Sequence, residues 1–226
     1  MATASTSTVT EKALYDAVTH LPPGGRLTLY DVDWEEYEQL FADLGDNCHY
    51  RVSYDEGRLE VMSPSSKHEK LKNLVHDMLV ILSDELDREV LSYGSTTLKL
   101  KARNKGAEGD DCFYIQHAGE IEDRDEIDLR IDPPPDLVVE IDLTHSSSKK
   151  LAIYAALGVP EVWRYDGRRW HVLELAGDTY GPVDRRLAFP ILTGDRIADF
   201  VSDCEKRGRK QALRAFRSWV KTQDAG

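Results

Sequence analysis

At 226 residues, with 41% hydrophobic and 31% charged content, the chain is long enough for one large globular domain with a substantial core. Its net charge of −12 argues against a strong sequence-independent grip on nucleic acid through overall charge. Cys48, Cys112 and Cys204 are far apart and in no metal-ligand spacing, which suits a reducing cytoplasm and no zinc site, and no apolar run approaches the roughly 18 residues of a membrane span.

In chain order, the Ser/Thr-rich start reads as a flexible N-terminal segment over residues 1–30. "VDWEEYEQLFADLG" reads as a short amphipathic helix closed by Gly45. "YRVSYDEGRLEVM" is a hairpin that turns at Asp55-Glu56-Gly57. A long helix follows "SPSS": Leu71, Leu74, Val75, Met78, Leu79 and Leu82 recur at steps of three and four, and Ser66 with Glu69 forms a capping-box signal. His68 falls on the inward face of that helix, as a bonded core histidine or as a support to a nearby site. "REVLSY", "STTLKLKA" and "DDCFYIQ" read as strands, and the acidic stretch Ala118 to Arg130 as a surface loop. "DLVVEID" is a buried strand. Ser147 or a neighbour caps a helix that ends at Gly158, and "EVWRYDGRRWHVLEL" is a hairpin turning at Asp166-Gly167. A last helix runs from about Arg209 to Val220. The pattern predicts an α/β domain over residues 31–205, with a basic C-terminal helix over 206–226 packed on it.

The chemistry gathers around "DPPPDLVVEIDLTHSSSKKLAIY". Alternation along the strand sets Asp136, Glu140 and Asp142 on one face, with Leu137, Val139 and Ile141 on the other. Two carboxylates about 4 Å apart in a partly buried site repel by ~4 kcal/mol unless a cation lies between them. On the next helix Lys150, Tyr154 and Leu157 share a stripe, so Lys150 can point back to the strand end. A third acid, Asp110 or Asp111, opens a strand that can lie beside Glu140. Paired acids with an inward ammonium are what metal-dependent phosphodiester hydrolysis requires: the acids hold Mg²⁺ or Mn²⁺, and the ammonium acts on water and phosphate. Blander roles compete. Asp142 can cap the turn before "LTHSSS", Lys150 can lie along the surface, and the Ser146–Ser148 run beside His145 reads as a loop and cap. Glu140 among aliphatic neighbours is hardest to explain that way, since buried glutamate without a partner is rare.

"DEGRLEVMSPSSKHEKL", "AEGDDCFYIQ", "IDPPPDLVVEIDLTHSS" and "KLAIYAALGVPEVWRYDG" together resemble a large bacterial family of restriction-endonuclease-like proteins, long catalogued as a domain of unknown function and related to PD-(D/E)XK nucleases. The resemblance covers roughly residues 50 to 175. It implies a mixed β-sheet flanked by helices and a metal-dependent endonuclease acting on DNA. By resemblance Asp110 is the Asp of the motif, Glu140 its second acid and Lys150 its lysine, carried on the helix. With Asp142 added from the alternation along the strand, the candidate metal ligands are Asp110, Glu140 and Asp142. Two positions depart from the pattern: Gly109 stands where the motif has proline, and Asp142 where it has lysine. Asp136 matches the letters of the motif but shares a strand with Glu140, which argues against it as a ligand.

Lys210, Arg214, Arg217 and Lys221 make one basic stripe on the last helix, either a solvated face or a phosphate-contacting edge. The aromatic and arginine content of "VWRYDGRRWHV" suits an interface, so a homodimer is expected. The rival to the enzyme is a catalytically silent module of the same fold that binds a protein or nucleic acid. An enzyme acting on a smaller phosphoester is a third reading.

Overall fold

The computed structural model describes residues 11–45, 49–143, 145–182 and 187–223; Cys48 and the first ten residues, both named above, lie outside these. The first half of the chain comprises α1 (Glu11–Thr19), β1 (Arg26–Leu29), α2 (Trp34–Leu44), β2 (Arg51–Asp55), β3 (Arg58–Met62) and α3 (Ser66–Leu86). Then come β4 (Leu91–Gly94), β5 (Thr97–Leu100), β6 (Lys105–Glu108), β7 (Asp111–Tyr114), a four-residue α4 (Ala118–Ile121) and β8 (Leu137–Ile141). The remainder is α5 (Lys150–Leu157), β9 (Glu161–Tyr165), β10 (Trp170–Ala176), β11 (Thr179–Pro182), α6 (Gly194–Arg207) and α7 (Arg209–Gln223). Part of the stretch read as a flexible N-terminal segment is therefore regular, as α1 and β1.

The strands make two sheets. The mixed sheet expected from sequence has the order β11-β10-β9-β8-β7-β4; only β8 and β9 run parallel in it, joined through α5. An antiparallel sheet, β1-β3-β2-β6-β5, accompanies it. Strand β6, like β1 and β11, is not read from the sequence. "KGAE" has little strand propensity, and its pairing with β2 on one side and β5 on the other makes it a strand.

Alternation along β8 explains how the layers form. Leu137, Val139 and Ile141 pack with α3, α6 and α7, while Val138 packs with Ile153 and Tyr154 of α5. Covered on both faces, β8 reads as a near-continuous apolar run. A separate core under α1 and α2 is built on Trp34, Tyr37 and Tyr54. The hairpin Trp163 and Trp170 are buried in the main core, so they are not the exposed aromatics expected of a dimer interface; Arg168 and Arg169 stay exposed. Among the described residues, no helix is long and apolar enough to cross a membrane.

The cap of α3 falls one residue earlier than its sequence signal. Ser65 accepts from the His68 amide at 3.3 Å. Glu69 is thereby released from the capping box and turns to Lys72 at 2.8 Å and Arg51 at 3.2 Å.

Candidate active site

Strands β7 and β8 pair antiparallel with Asp111 opposite Val139 and Cys112 opposite Val138. Asp110 lies just before β7, where the chain runs past the end of β8. Asp110 is locked there by its own backbone, whose amide donates to the Val139 carbonyl at 3.0 Å, and by the Ile141 amide, which donates to Oδ2 at 2.7 Å. Gly109 has its reason in the same geometry: a Cβ there would meet Val138 Cγ1 at 2.7 Å, so the chain crosses β8 too closely for a side chain.

Lys150 opens α5 and reaches back to the carboxylates. Its ammonium donates to Glu140 Oε1 and Oε2 at 3.1 and 3.2 Å and to the Glu108 carbonyl at 2.9 Å. Tyr154, one turn on, donates its hydroxyl to Glu140 Oε1. Asp110, Glu140 and Lys150, at 1%, 2% and 8% exposed, are thus brought together in the interior. Glu108 braces them from the other sheet, since its carboxylate takes Thr97 Oγ1 at 2.7 Å and the Val52 amide at 2.9 Å.

Electrostatics follow from this enclosure. Burial pushes the Glu140 carboxyl up to about 7, although the Lys150 ammonium opposes it. Burial acts in the same direction on Asp110, but contact with His68 and the charge of Lys150 outweigh it and hold that carboxyl below its ordinary value. His68 Nε2 lies 2.9 Å from Asp110 Oδ2. Burial works against charge on the imidazole, yet Asp110 and Glu69 raise its pKa above the ordinary value. Lys150 is raised likewise, with Glu140 and Asp110 outweighing its burial.

The other acids named from sequence go elsewhere. Asp142 is fully engaged: Arg164 Nε and NH2 donate to Oδ2 at 2.8 and 2.5 Å, and the Ser147 amide donates to Oδ1 at 2.9 Å. Its partners make it a turn acid tied to an arginine. Asp111 faces the opposite side of the sheet, toward His76 at 3.1 Å and Ser92 Oγ at 2.9 Å. Asp136 takes the Ile115 and His117 amides at 2.7 and 3.0 Å, a brace for the β7 end.

Arg51, Glu108 and Tyr154 were not singled out by sequence reasoning. For Tyr154 a signal existed in its place on the Lys150 stripe. Arg51 is 5% exposed in its side chain, with Nε 3.7 Å from Asp110 Oδ1. It lines a cleft of about 1750 Å³ that runs between α3, the β9–β10 hairpin and α6. Lys67, Lys70 and Arg168 also border this cleft, and none of the three makes an ion pair among the described residues.

Among the described residues no three His, Cys, Asp or Glu side chains gather into a ready cage for a metal ion. Two buried carboxylates, Asp110 and Glu140, are what the fold provides. One oxygen of the pair, Asp110 Oδ1, is buried and accepts no hydrogen bond. Hard oxygen donors with one acceptor unused fit Mg²⁺ or Mn²⁺; Mg²⁺ is commonly held by one or two carboxylates and completes its shell with water and phosphate oxygens.

A family model described as "Uma2: Putative restriction endonuclease" matches residues 34–198. Among solved structures, the chain is similar to "a putative nuclease belonging to DUF820 from Anabaena variabilis ATCC 29413". The two are 16% identical with a TM-score of 0.44, over 75% of this chain and 90% of that one. No curated protein matches the chain.

Proposed function

The chain belongs to the Uma2 family, described as "Putative restriction endonuclease", and from that premise we propose that it is a divalent-cation-dependent endonuclease hydrolysing phosphodiester bonds in DNA. The observation that carries this reading is the burial of Asp110 at the end of β8, bonded to the Ile141 amide with its Oδ1 unused, together with a buried Glu140 on β8 bonded by Lys150. In it, Asp110 and Glu140 hold Mg²⁺ or Mn²⁺. When bound, the cation supplies a Lewis acid that polarises the phosphate and lowers the pKa of coordinated water. Lys150 keeps Glu140 oriented and adds positive charge where negative charge develops in the transition state. His68 keeps Asp110 ionised and fixed in rotamer. Lys67, Lys70 and Arg168 contact backbone phosphates along the cleft.

One observation favours the rival module that binds without cleaving. Lys150, Arg51 and His68 already neutralise both carboxylates from within the protein. The test is direct. Supercoiled plasmid incubated with the full chain is nicked or linearised in Mg²⁺ or Mn²⁺ and stays intact in EDTA, and Glu140→Gln abolishes cation binding and cleavage together. A wild-type chain that binds DNA yet leaves supercoiled, linear and single-stranded substrates uncut in either cation sinks the enzyme in favour of the module.

A further inference from the structure

Behind the cleft, two buried polar atoms face each other without a hydrogen bond: Arg51 Nε and Asp110 Oδ1, 3.7 Å apart. That separation is too long for a hydrogen bond. The hold of Arg51 on Asp110 is therefore charge attraction alone.

Arg51 has a second partner on the outer side. Its NH2 group donates to Glu69 Oε1 at 3.2 Å, and the Glu69 side chain is 37% exposed. Both residues line the cleft. The guanidinium thus bridges a deep carboxylate and a shallow one, and only the shallow contact is a hydrogen bond. A guanidinium is also suited to a phosphodiester, since its planar donors match two phosphate oxygens at once.

The same Asp110 oxygen cannot serve Arg51 and a divalent cation together without like-charge repulsion at short range. Glu140 is occupied differently: the Lys150 ammonium donates to both of its oxygens and Tyr154 to one of them, all as hydrogen bonds made from α5. Arg51 lies beside the unused oxygen and also lines the cleft.

We propose that Arg51 couples the cleft to the carboxylate pair: it neutralises Asp110 while the cleft is empty, and a phosphodiester entering the cleft draws it outward, so that phosphodiester and divalent cation bind cooperatively. This rests on the reading of Asp110 and Glu140 as cation ligands. Arg51 is a positioning residue in this scheme. Its effect is on when the site can load, and linkage requires that the cation strengthen DNA binding by the same factor by which DNA strengthens cation binding.

The experiment uses the full chain, with Mn²⁺ binding read by electron paramagnetic resonance and binding of a fluorescent twelve-base-pair duplex read by anisotropy. Arg51→Met retains much of the stem and removes the charge; circular dichroism confirms its fold. Without DNA it binds Mn²⁺ about tenfold more tightly than wild type, and wild type binds the duplex about tenfold more tightly in Mn²⁺ than in EDTA, a ratio that falls below about twofold in Arg51→Met. Glu69→Gln, at a half-exposed position, supplies the second variant. Deprived of its outer partner, Arg51 leans on Asp110, and Mn²⁺ affinity falls below wild type. Equal Mn²⁺ affinity in wild type and both variants, or a coupling ratio unchanged in Arg51→Met, overturns the role of Arg51 and leaves the cation site standing. Absence of Mn²⁺ binding in all three proteins removes the cation site and the coupling together.

Discussion

The burial of Glu140 gives the site a pH dependence. Burial drives its carboxyl up to about 7, so a cation entering beside Asp110 must displace a proton below that pH. Mn²⁺ affinity accordingly rises about tenfold from pH 6 to pH 8, measured by titration at fixed ionic strength. The stability consequence has the opposite sign. The folded chain retains this proton up to about pH 7, whereas the unfolded chain loses it near the ordinary value of 4.5, so this group makes stability fall as pH rises between the two. Above pH 7 the ionised carboxylate depends on Lys150. Lys150→Ala therefore lowers the thermal midpoint more at pH 8 than at pH 5.5, where the unpaired Glu140 is simply protonated; equal losses at both values would show that Lys150 acts through packing alone. Its burial and its three donated bonds mean that Lys150 is not the dispensable stem its sequence position suggests. Nor are the two acids a source of strain that Glu140→Gln relieves, because Lys150, Arg51 and His68 already balance them. Asp142 separates from them in function. Asp142→Asn weakens the Arg164 tie and costs on the order of 1–3 kcal/mol in urea denaturation, while Mn²⁺ affinity stays within about twofold of wild type.

At the scale of elements, α3 links the site to the C-terminal helix. Its first turn delivers His68 to Asp110. Two and more turns on, Asp77, Asp84 and Glu85 receive α7: Arg209 pairs with Asp77, Arg217 with Asp84 and Glu85, and Lys221 with Glu85 at 3.5 Å. Of the basic stripe, Arg217 and Lys221 lie along the acidic side of α3, while Lys210 and Arg214 stay exposed. These pairs are largely exposed, and exposed pairs contribute little. The helix is held by its apolar face, where Ala212, Phe216 and Val220 are buried and Phe216 meets Phe200 of α6 with ring centroids 5.0 Å apart. Phe216→Ala is expected to cost about 3–5 kcal/mol and Arg217→Ala under about 1 kcal/mol, from urea midpoints at constant slope. A reversed order would make the ion pairs, rather than the core, the clamp.

Across the whole molecule, the net charge of −12 leaves only local regions able to approach a polyanion. From Glu108 to Asp142 the chain has thirteen acids and two arginines, while the cleft beside Arg51 is bordered by Lys67, Lys70 and Arg168. Binding in that cleft is then dominated by few phosphate contacts. Lys67→Ala combined with Lys70→Ala weakens duplex binding and makes the salt dependence of log K shallower by about two, one unit per lost phosphate contact. An unchanged slope in the double variant would take the DNA away from this cleft.

Local periodicity makes much of the molecule legible in the amino-acid sequence. Alternation in "DLVVEID" sets Glu140 apart from its aliphatic neighbours, the three- and four-residue steps of α3 mark its buried face, and the Lys150–Tyr154 stripe of α5 turns toward the strand end. These are properties of short segments, fixed by the geometry of a strand or a helix turn. Partners distant along the chain are not legible in this way. Asp142 carries the same strand phase as Glu140, and only Arg164, which the parallel pairing of β8 and β9 sets opposite Glu140, turns it from a ligand into a tied turn acid. Arg51 reads as one residue of a hairpin until β2 meets β6 and α3 brings Glu69 beside it. Strand β6 itself exists through its two neighbours. Side-chain phase is written locally in a sequence, whereas charge pairing and strand register arise from which segments the folded chain brings side by side.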